Sequence, residues 1–164
     1  MLAAAFGCVT SMPAAAKPPV PAVIFPTVTP DFTLRAAGGG NYRLSEYRGE
    51  VVELVFSATW CGNCRAALEL AQKHSATYGA SGLQVLVISL DEQPVAAREF
   101  AEAAGVALPV LIDADKSVSR AFRADSLPLA VLIDRGGVVR SRNGLGDQRA
   151  EQQLVSDIRA LLDE

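Results

Sequence analysis

Two cysteines three positions apart, Cys61 and Cys64 in Trp60-Cys61-Gly62-Asn63-Cys64, are the side chains here best suited to chemistry. A thiolate, rather than a thiol, attacks disulfides and binds metals, so the setting of the pair decides its use. Val51 to Ala58 is a nearly continuous apolar run, the pattern of a strand covered on both faces. Arg65 to Tyr78 mixes Ala and Leu with polar residues at helical spacing. The pair therefore falls where a buried strand hands over to a helix. Unpaired N–H groups and the dipole at a helix N-terminus favour ionisation of the first cysteine, Cys61. Cys64, one turn further in, is expected to be more buried, to ionise less readily and to reach back to Cys61. That arrangement suits disulfide exchange: Cys61 attacks, and Cys64 resolves the mixed disulfide. Two competing readings are weaker. A pair of inert core cysteines ignores the strand-to-helix position. A zinc site would draw on His74 but lacks a fourth ligand at a sensible spacing, so no metal or other cofactor is expected.

The elements that must hold this pair follow from the same periodicities. Asp31 to Arg35 suits a short strand, turned by Gly38-Gly39-Gly40-Asn41 into a second near Tyr42–Leu44. Ser45 is expected to cap one helical turn ending at Gly49. After the active-site helix, which Gly79 should end, Leu83 to Leu90 reads as a second buried strand and Val95 to Ala104 as a helix stopped by Gly105. A short apolar segment at Pro109–Ile112 precedes a helical turn or two at Ser117–Phe122. Leu129 to Ile133 is a strand, and Arg135-Gly136-Gly137 turns it into Val138–Arg140. Gln148 to Leu162 closes the chain as an amphipathic helix with Leu154, Ile158, Leu161 and Leu162 on one face. Strand–helix alternation followed by a hairpin and a helix predicts an α/β fold with a sheet of mixed direction.

At 164 residues the chain fits one domain and a short extension. Aromatic residues make up 6% and the net charge is −3, with Lys and Arg scattered, which argues against nucleic-acid binding. No run reaches the roughly 18 apolar residues needed to span a bilayer. Residues 1–30 read as a tail, because Pro13, Pro18, Pro19, Pro21, Pro26 and Pro30 keep the backbone extended and short of donors. Such a segment serves as a spacer, leaving residues 31–164 as the folded domain. Ala5-Phe6-Gly7-Cys8 has two readings: the remnant of a lipoprotein cleavage box, with Cys8 lipidated, or a leader in which Cys8 does nothing. A basic start and a longer apolar stretch, which an export signal should have, are both missing.

Ser57-Ala58-Thr59-Trp60-Cys61-Gly62-Asn63-Cys64-Arg65 resembles the active-site segment of the TlpA/ResA-like thioredoxin family, bacterial disulfide reductases anchored at the membrane. Asp31-Phe32-Thr33-Leu34 and Leu44-Ser45-Glu46-Tyr47-Arg48-Gly49 resemble the family's opening strands and its approach to the central strand. Leu127-Pro128 followed by Leu129–Asp134 resembles its cis-proline loop and next strand. The resemblance runs from about Pro30 to the C-terminus. It implies a thioredoxin fold with an N-terminal β-hairpin extension, a monomer, a location outside the cytoplasm and membrane anchoring through the N-terminus. It also implies protein disulfides as substrates, an upstream thiol donor and a part in cytochrome c maturation. Trp60, Gly62, Asn63, Leu127 and Pro128 would then form the partner-binding surface. Pro128 would be cis beside Cys61, leaving the Leu127 backbone free to pair with an incoming strand.

The same resemblance singles out Glu92, which falls where relatives carry a glutamate near the cysteines. At the end of a buried strand it would be partly desolvated and able to pass a proton to or from Cys64. The alternative is a solvated loop acid in Asp91-Glu92-Gln93-Pro94. The chain also departs from the family. Gly62-Asn63 lacks the usual proline, Ala67 and Leu70 stand near a familiar glutamate and kinking proline, and Ser57 replaces a common aromatic. Val55 occupies the place of the buried aspartate of thioredoxin itself, leaving that role to Glu92 or Glu53 if it is filled. Glu53, inside the apparent central strand, is expected at a solvated edge or against an arginine, because burying an unpaired charge is costly. His74 is expected to be a surface or half-buried residue with no catalytic part. A peroxidase of the peroxiredoxin kind is disfavoured because Ala58 stands where that chemistry needs a threonine. A binding module without catalysis is disfavoured by the intact cysteine pair. The redox direction is left open by the Gly62-Asn63 dipeptide.

Overall fold

The computed structural model describes residues 29–164. Residues 1–28, most of the proline-rich tail and Cys8 with it, lie outside the described residues; of the last two tail residues, Thr29 is buried and its hydroxyl donates to the Gly137 carbonyl, so the packed domain begins slightly before Asp31. A five-stranded sheet forms the centre, in the order β5 (Val110–Ile112), β4 (Leu83–Ser89), β3 (Val51–Ser57), β6 (Leu129–Ile133), β7 (Val139–Gly144). β3 runs parallel to β4, and β4 to β5, while β6 is antiparallel to β3 and to β7. All seven residues of β3 are buried, which is why its sequence is apolar without alternation.

Helices cover both faces. On one face Val51 and Val55 pack with Ala67, Leu68 and Ala71 of α1 (Cys64–Tyr78), with Ala97 and Ala101 of α2 (Pro94–Ala103), and with Leu154, Ile158 and Leu161 of α4 (Gln148–Leu162). On the other, Val52, Leu54 and Phe56 meet Val118 of α3 (Ser117–Ala121) and Phe122. The antiparallel hairpin of β1 (Thr33–Arg35) and β2 (Asn41–Arg43) adds Leu34 and Tyr42 to that second layer, and Phe32, just before β1, joins them. Phe122 is central to it, with ring centroids 6.0 Å from Phe32 and 5.9 Å from Phe56. Each fully buried Leu or Phe here contributes about 1.5–3 kcal/mol. The expected α/β sheet, its mixed direction and the N-terminal hairpin are all present, and the architecture is the thioredoxin fold.

Three local expectations need correction, and one helix end, placed as expected, is made differently from the usual glycine stop. Ser45 does not cap the short 3-10 turn at Leu44–Tyr47 but lies within it, and its N–H and hydroxyl each donate to the Asp31 carboxylate at 2.9 Å. α1 does stop at Tyr78, yet Gly79 keeps right-handed angles and begins a 3-10 turn; the left-handed residue that turns the chain into β4 is Gly82, at φ +98°. β7 runs to Gly144, well past Arg140, because an edge strand paired on one side to β6 tolerates the polar Ser141-Arg142-Asn143. Glu53 sits fully buried in mid-sheet, between Val85 of β4 and Leu132 of β6, with a histidine rather than an arginine as its partner.

α3 depends on a cap from outside its own chain segment. Asp113, fully buried just after β5, accepts the Val118 N–H at 3.1 Å and the Ser119 N–H at 2.7 Å. These are first-turn donors with no intrahelical partner. Asp113→Ala is expected to cost about 2 kcal/mol, through two orphaned donors in a dry site, and Asp113→Asn less. Urea denaturation of the oxidised protein checks this; equal midpoints for wild type and the alanine variant would show that α3 finds other partners.

Candidate active site

The disulfide is built at the C-terminal end of β3, where two consecutive turns carry the chain into α1. The Cys61 N–H donates to the Ala58 carbonyl at 3.2 Å, and the Cys64 N–H to the Cys61 carbonyl at 3.3 Å. Cys61 and Cys64 are joined as a disulfide, with Cα atoms 5.4 Å apart. α1 itself starts at Cys64, with Asn63 at its N-cap position, so Cys61 lies on the turn ahead of the helix rather than in its first residue. The two sulfurs are unequal. Cys64 is fully buried, whereas Cys61 is half-buried against the apolar layer that also holds Leu127. An incoming disulfide can reach the first and not the second.

Around the pair the other expected residues divide. Trp60 is 68% exposed, a large apolar side chain facing solvent directly beside Cys61, and Gly62 and Asn63 are exposed. The Leu127–Pro128 bond is cis, Leu127 is half-buried and Pro128 buried. The Pro128 carbonyl accepts the Leu145 N–H at 3.0 Å, and a Cβ placed on the next residue, Gly146, would stand 3.5 Å from Asn63 Nδ2. The cysteine turn, the proline loop and the Leu145–Gly146 loop are thereby gathered at one end of the sheet.

Glu92 is not part of this group. Its side chain is 75% exposed and lies 3.7 Å from Lys116 Nζ, so the desolvation that would have fitted it for proton transfer is missing. The inward-facing acid is its neighbour Asp91, 8% exposed, whose carboxylate accepts hydrogen bonds from Thr59 and Ser89. Sequence reasoning passed over Asp91. The signal available was its position immediately beyond a strand of buried residues, with two hydroxyl-bearing residues, Ser89 and Thr59, at neighbouring strand ends.

A second buried constellation lies further down the same helix. His74 of α1 is 3% exposed, not superficial, and its Nδ1 stands 3.0 and 3.1 Å from the two oxygens of Glu53. Glu53 shares a face of β3 with Val55 but lies two residues further from the cysteines. Roughly 7 Å of strand separates the two positions. Glu53 therefore does not take the place that Val55 leaves empty. Among the described residues no group of His, Cys, Asp and Glu side chains is arranged to hold a metal ion.

A thioredoxin fold with a disulfide-bonded Cys-x-x-Cys where its central strand meets a helix defines a thiol–disulfide oxidoreductase. The chain belongs to the AhpC/TSA family, whose model matches residues 27–142. It is 34% identical over 119 residues to the thiol-disulfide oxidoreductase ResA of Geobacillus kaustophilus, covering 73% of this chain and 68% of that one. Among solved structures it resembles a chain assigned as the thiol:disulfide interchange protein DsbE from Chlorobium tepidum. That match has TM-score 0.77 and 31% identity, over 82% of this chain and 95% of the other. A second C. tepidum structure, a thioredoxin-family thiol:disulfide interchange protein, shares the fold at TM-score 0.71 and 22% identity, over 86% and 99% of the two chains.

Proposed function

We propose that this oxidoreductase works as a reductase of protein disulfides outside the cytoplasm, through Cys61 and Cys64, and serves cytochrome c maturation. The observation that carries the reading is the inequality of the two sulfurs, one reachable and one fully buried. The Cys61 thiolate attacks a substrate disulfide, forming a bond to one substrate sulfur and expelling the other, which takes up a proton. Cys64, deprotonated in turn, attacks the Cys61 sulfur; the second substrate sulfur leaves and is protonated. Two electrons and two protons pass to the substrate, and the Cys61–Cys64 disulfide forms. An upstream thiol donor reverses this by the same two steps.

Burial of Cys64 supports the reducing direction. A thiol in an apolar site resists ionisation, so reduction leaves a buried dithiol that gains little from thiolate stabilisation, and the disulfide is the favoured state. Trp60, Gly62, Asn63 and Leu127 supply the surface for an extended partner segment beside Pro128. The single reachable sulfur needs no second subunit, which fits a monomer. A peroxidase reading gains nothing from the family match, since Ala58 is 1% exposed and offers no hydroxyl to a peroxide. Location is supported by the ResA relatives and not by a span: among the described residues no helix is long and apolar enough to cross a membrane. Anchoring is assigned to the N-terminal segment.

The equilibrium potential of the Cys61–Cys64 couple against glutathione tests the proposal. A value near the thioredoxin end, about −270 mV, is expected; one near −120 mV would make the protein an oxidant.

A further inference from the structure

A carboxylate that the exchange steps leave unused stands at the end of β4, beside the cysteine turn. Asp91 receives the Thr59 backbone N–H at 3.0 and 3.2 Å on its two oxygens, the Thr59 hydroxyl at 2.6 Å and the Ser89 hydroxyl at 2.8 Å. The Asp91 N–H returns a bond to Ser89 Oγ at 3.2 Å. The bracket rests on the last rung of the β3–β4 ladder, where Ser57 pairs with Ser89 and the Leu90 N–H donates to the Ser57 carbonyl at 2.9 Å. Thr59 in turn is the second residue of the turn that the Cys61 N–H closes on Ala58. It is two residues from Cys61, and two residues of chain span at most about 7 Å.

We propose that Asp91 is a positioning residue for Cys61: by clamping Thr59 it fixes the turn that presents the sulfur, and it sets a negative charge near enough to oppose formation of the Cys61 thiolate. The second effect favours the disulfide and so reinforces a reducing couple. The inference rests on Cys61 as the attacking thiol and goes on to say what holds and tunes it. Of the other charges near the pair, Arg65 of α1 reaches Glu69 and the Ala103 carbonyl, Asp147 caps α4, and Asp125 on the proline loop is exposed. Glu92 and Lys116 pair in solvent, and Asp113 is committed to the first turn of α3. A burial-only account of Asp91, as a plug for the strand end, predicts changes in stability and none in the ionisation of Cys61.

The test follows alkylation of the reduced full-length chain by iodoacetamide across pH, with the modified cysteine mapped by mass spectrometry, and insulin reduction at saturating and limiting substrate. Asp91→Asn keeps the shape and an acceptor for the Thr59 N–H but removes the charge. A unit charge at about 10 Å across a partly buried path is worth on the order of one pH unit. The pH midpoint of Cys61 alkylation should fall by about that much, and the equilibrium with glutathione should move roughly tenfold toward the reduced form. Thr59→Val keeps the carboxylate and the backbone bond but lacks the hydroxyl. Its midpoint should stay at the wild-type value while kcat/KM for insulin falls severalfold, and Thr59→Ser should restore the rate. An unchanged or raised midpoint in Asp91→Asn overturns the proposal. If that variant does not fold, Thr59→Val decides: a loss rescued by serine supports the clamp, and unchanged turnover refutes it. Should the wild-type alkylation map to a cysteine other than Cys61, the attacking-thiol reading fails first, and visibly so.

Discussion

Cys61→Ser is expected to bring disulfide exchange down to the rate of buffer alone, whereas Cys64→Ser should leave a protein that attacks once and stops. The difference follows from burial. Cys64 is fully enclosed and cannot be reached by a substrate disulfide, so nothing replaces Cys61 as the attacking group. Without Cys64 the first step still proceeds, because the half-exposed Cys61 needs no partner to form a mixed disulfide. The second step then has no nucleophile, and the covalent complex persists until an external thiol dissolves it. Non-reducing gels of the Cys64→Ser variant with a protein disulfide substrate should show a band at the summed mass, absent with Cys61→Ser. Cys8→Ser should behave as wild type. If it abolished exchange as completely as Cys61→Ser, the assignment of the redox pair would be wrong.

What could be read from the residues, and what could not, divides along locality. The strand into the cysteines, the helix after them and the closing helix announce themselves through runs and periods confined to a few turns of chain. α4 matches its sequence-based bounds at both ends, helped by Asp147, whose side chain accepts the Ala150 N–H at 2.8 Å. The second half of β7 escaped because Ser141-Arg142-Asn143 carry no alternation, and only pairing with β6 makes them strand. The acids escaped for a deeper reason. Asp91 and Glu92 are adjacent and chemically alike, and which one turns inward is settled by hydrogen bonds to Thr59, 32 residues away in the chain. The cost of burying a lone charge made a solvated place for Glu53 the natural expectation. Its partner was nonetheless in view: His74 continues the buried stripe Cys64, Ala67, Leu68, Ala71 of α1, the face that must lie on β3.

That buried pair should show strong, non-additive energetics. His74→Leu would leave both oxygens of Glu53 enclosed at mid-sheet with no partner, which should cost about 3 kcal/mol, the upper end for orphaned buried polar groups. Glu53→Leu is expected to cost less, about 1–2 kcal/mol, because it orphans a single ring nitrogen rather than two carboxyl oxygens. The double replacement removes both polar groups and fills the space with apolar atoms among Val51, Val55, Ala71 and Leu132, all buried in the same layer. Such exchanges are often neutral or stabilising. The double variant should therefore be more stable than His74→Leu alone, with a coupling energy of roughly 2 kcal/mol or more in a double-mutant cycle. Urea denaturation of the oxidised proteins measures it. The redox potential should be unchanged in each folded variant, because His74 lies ten residues along α1 from Cys64. At helical rise that is about 15 Å. A double variant whose loss equals the sum of the single losses would mean that the two side chains do not depend on each other. A shifted potential would mean that the pair reaches the cysteines through α1.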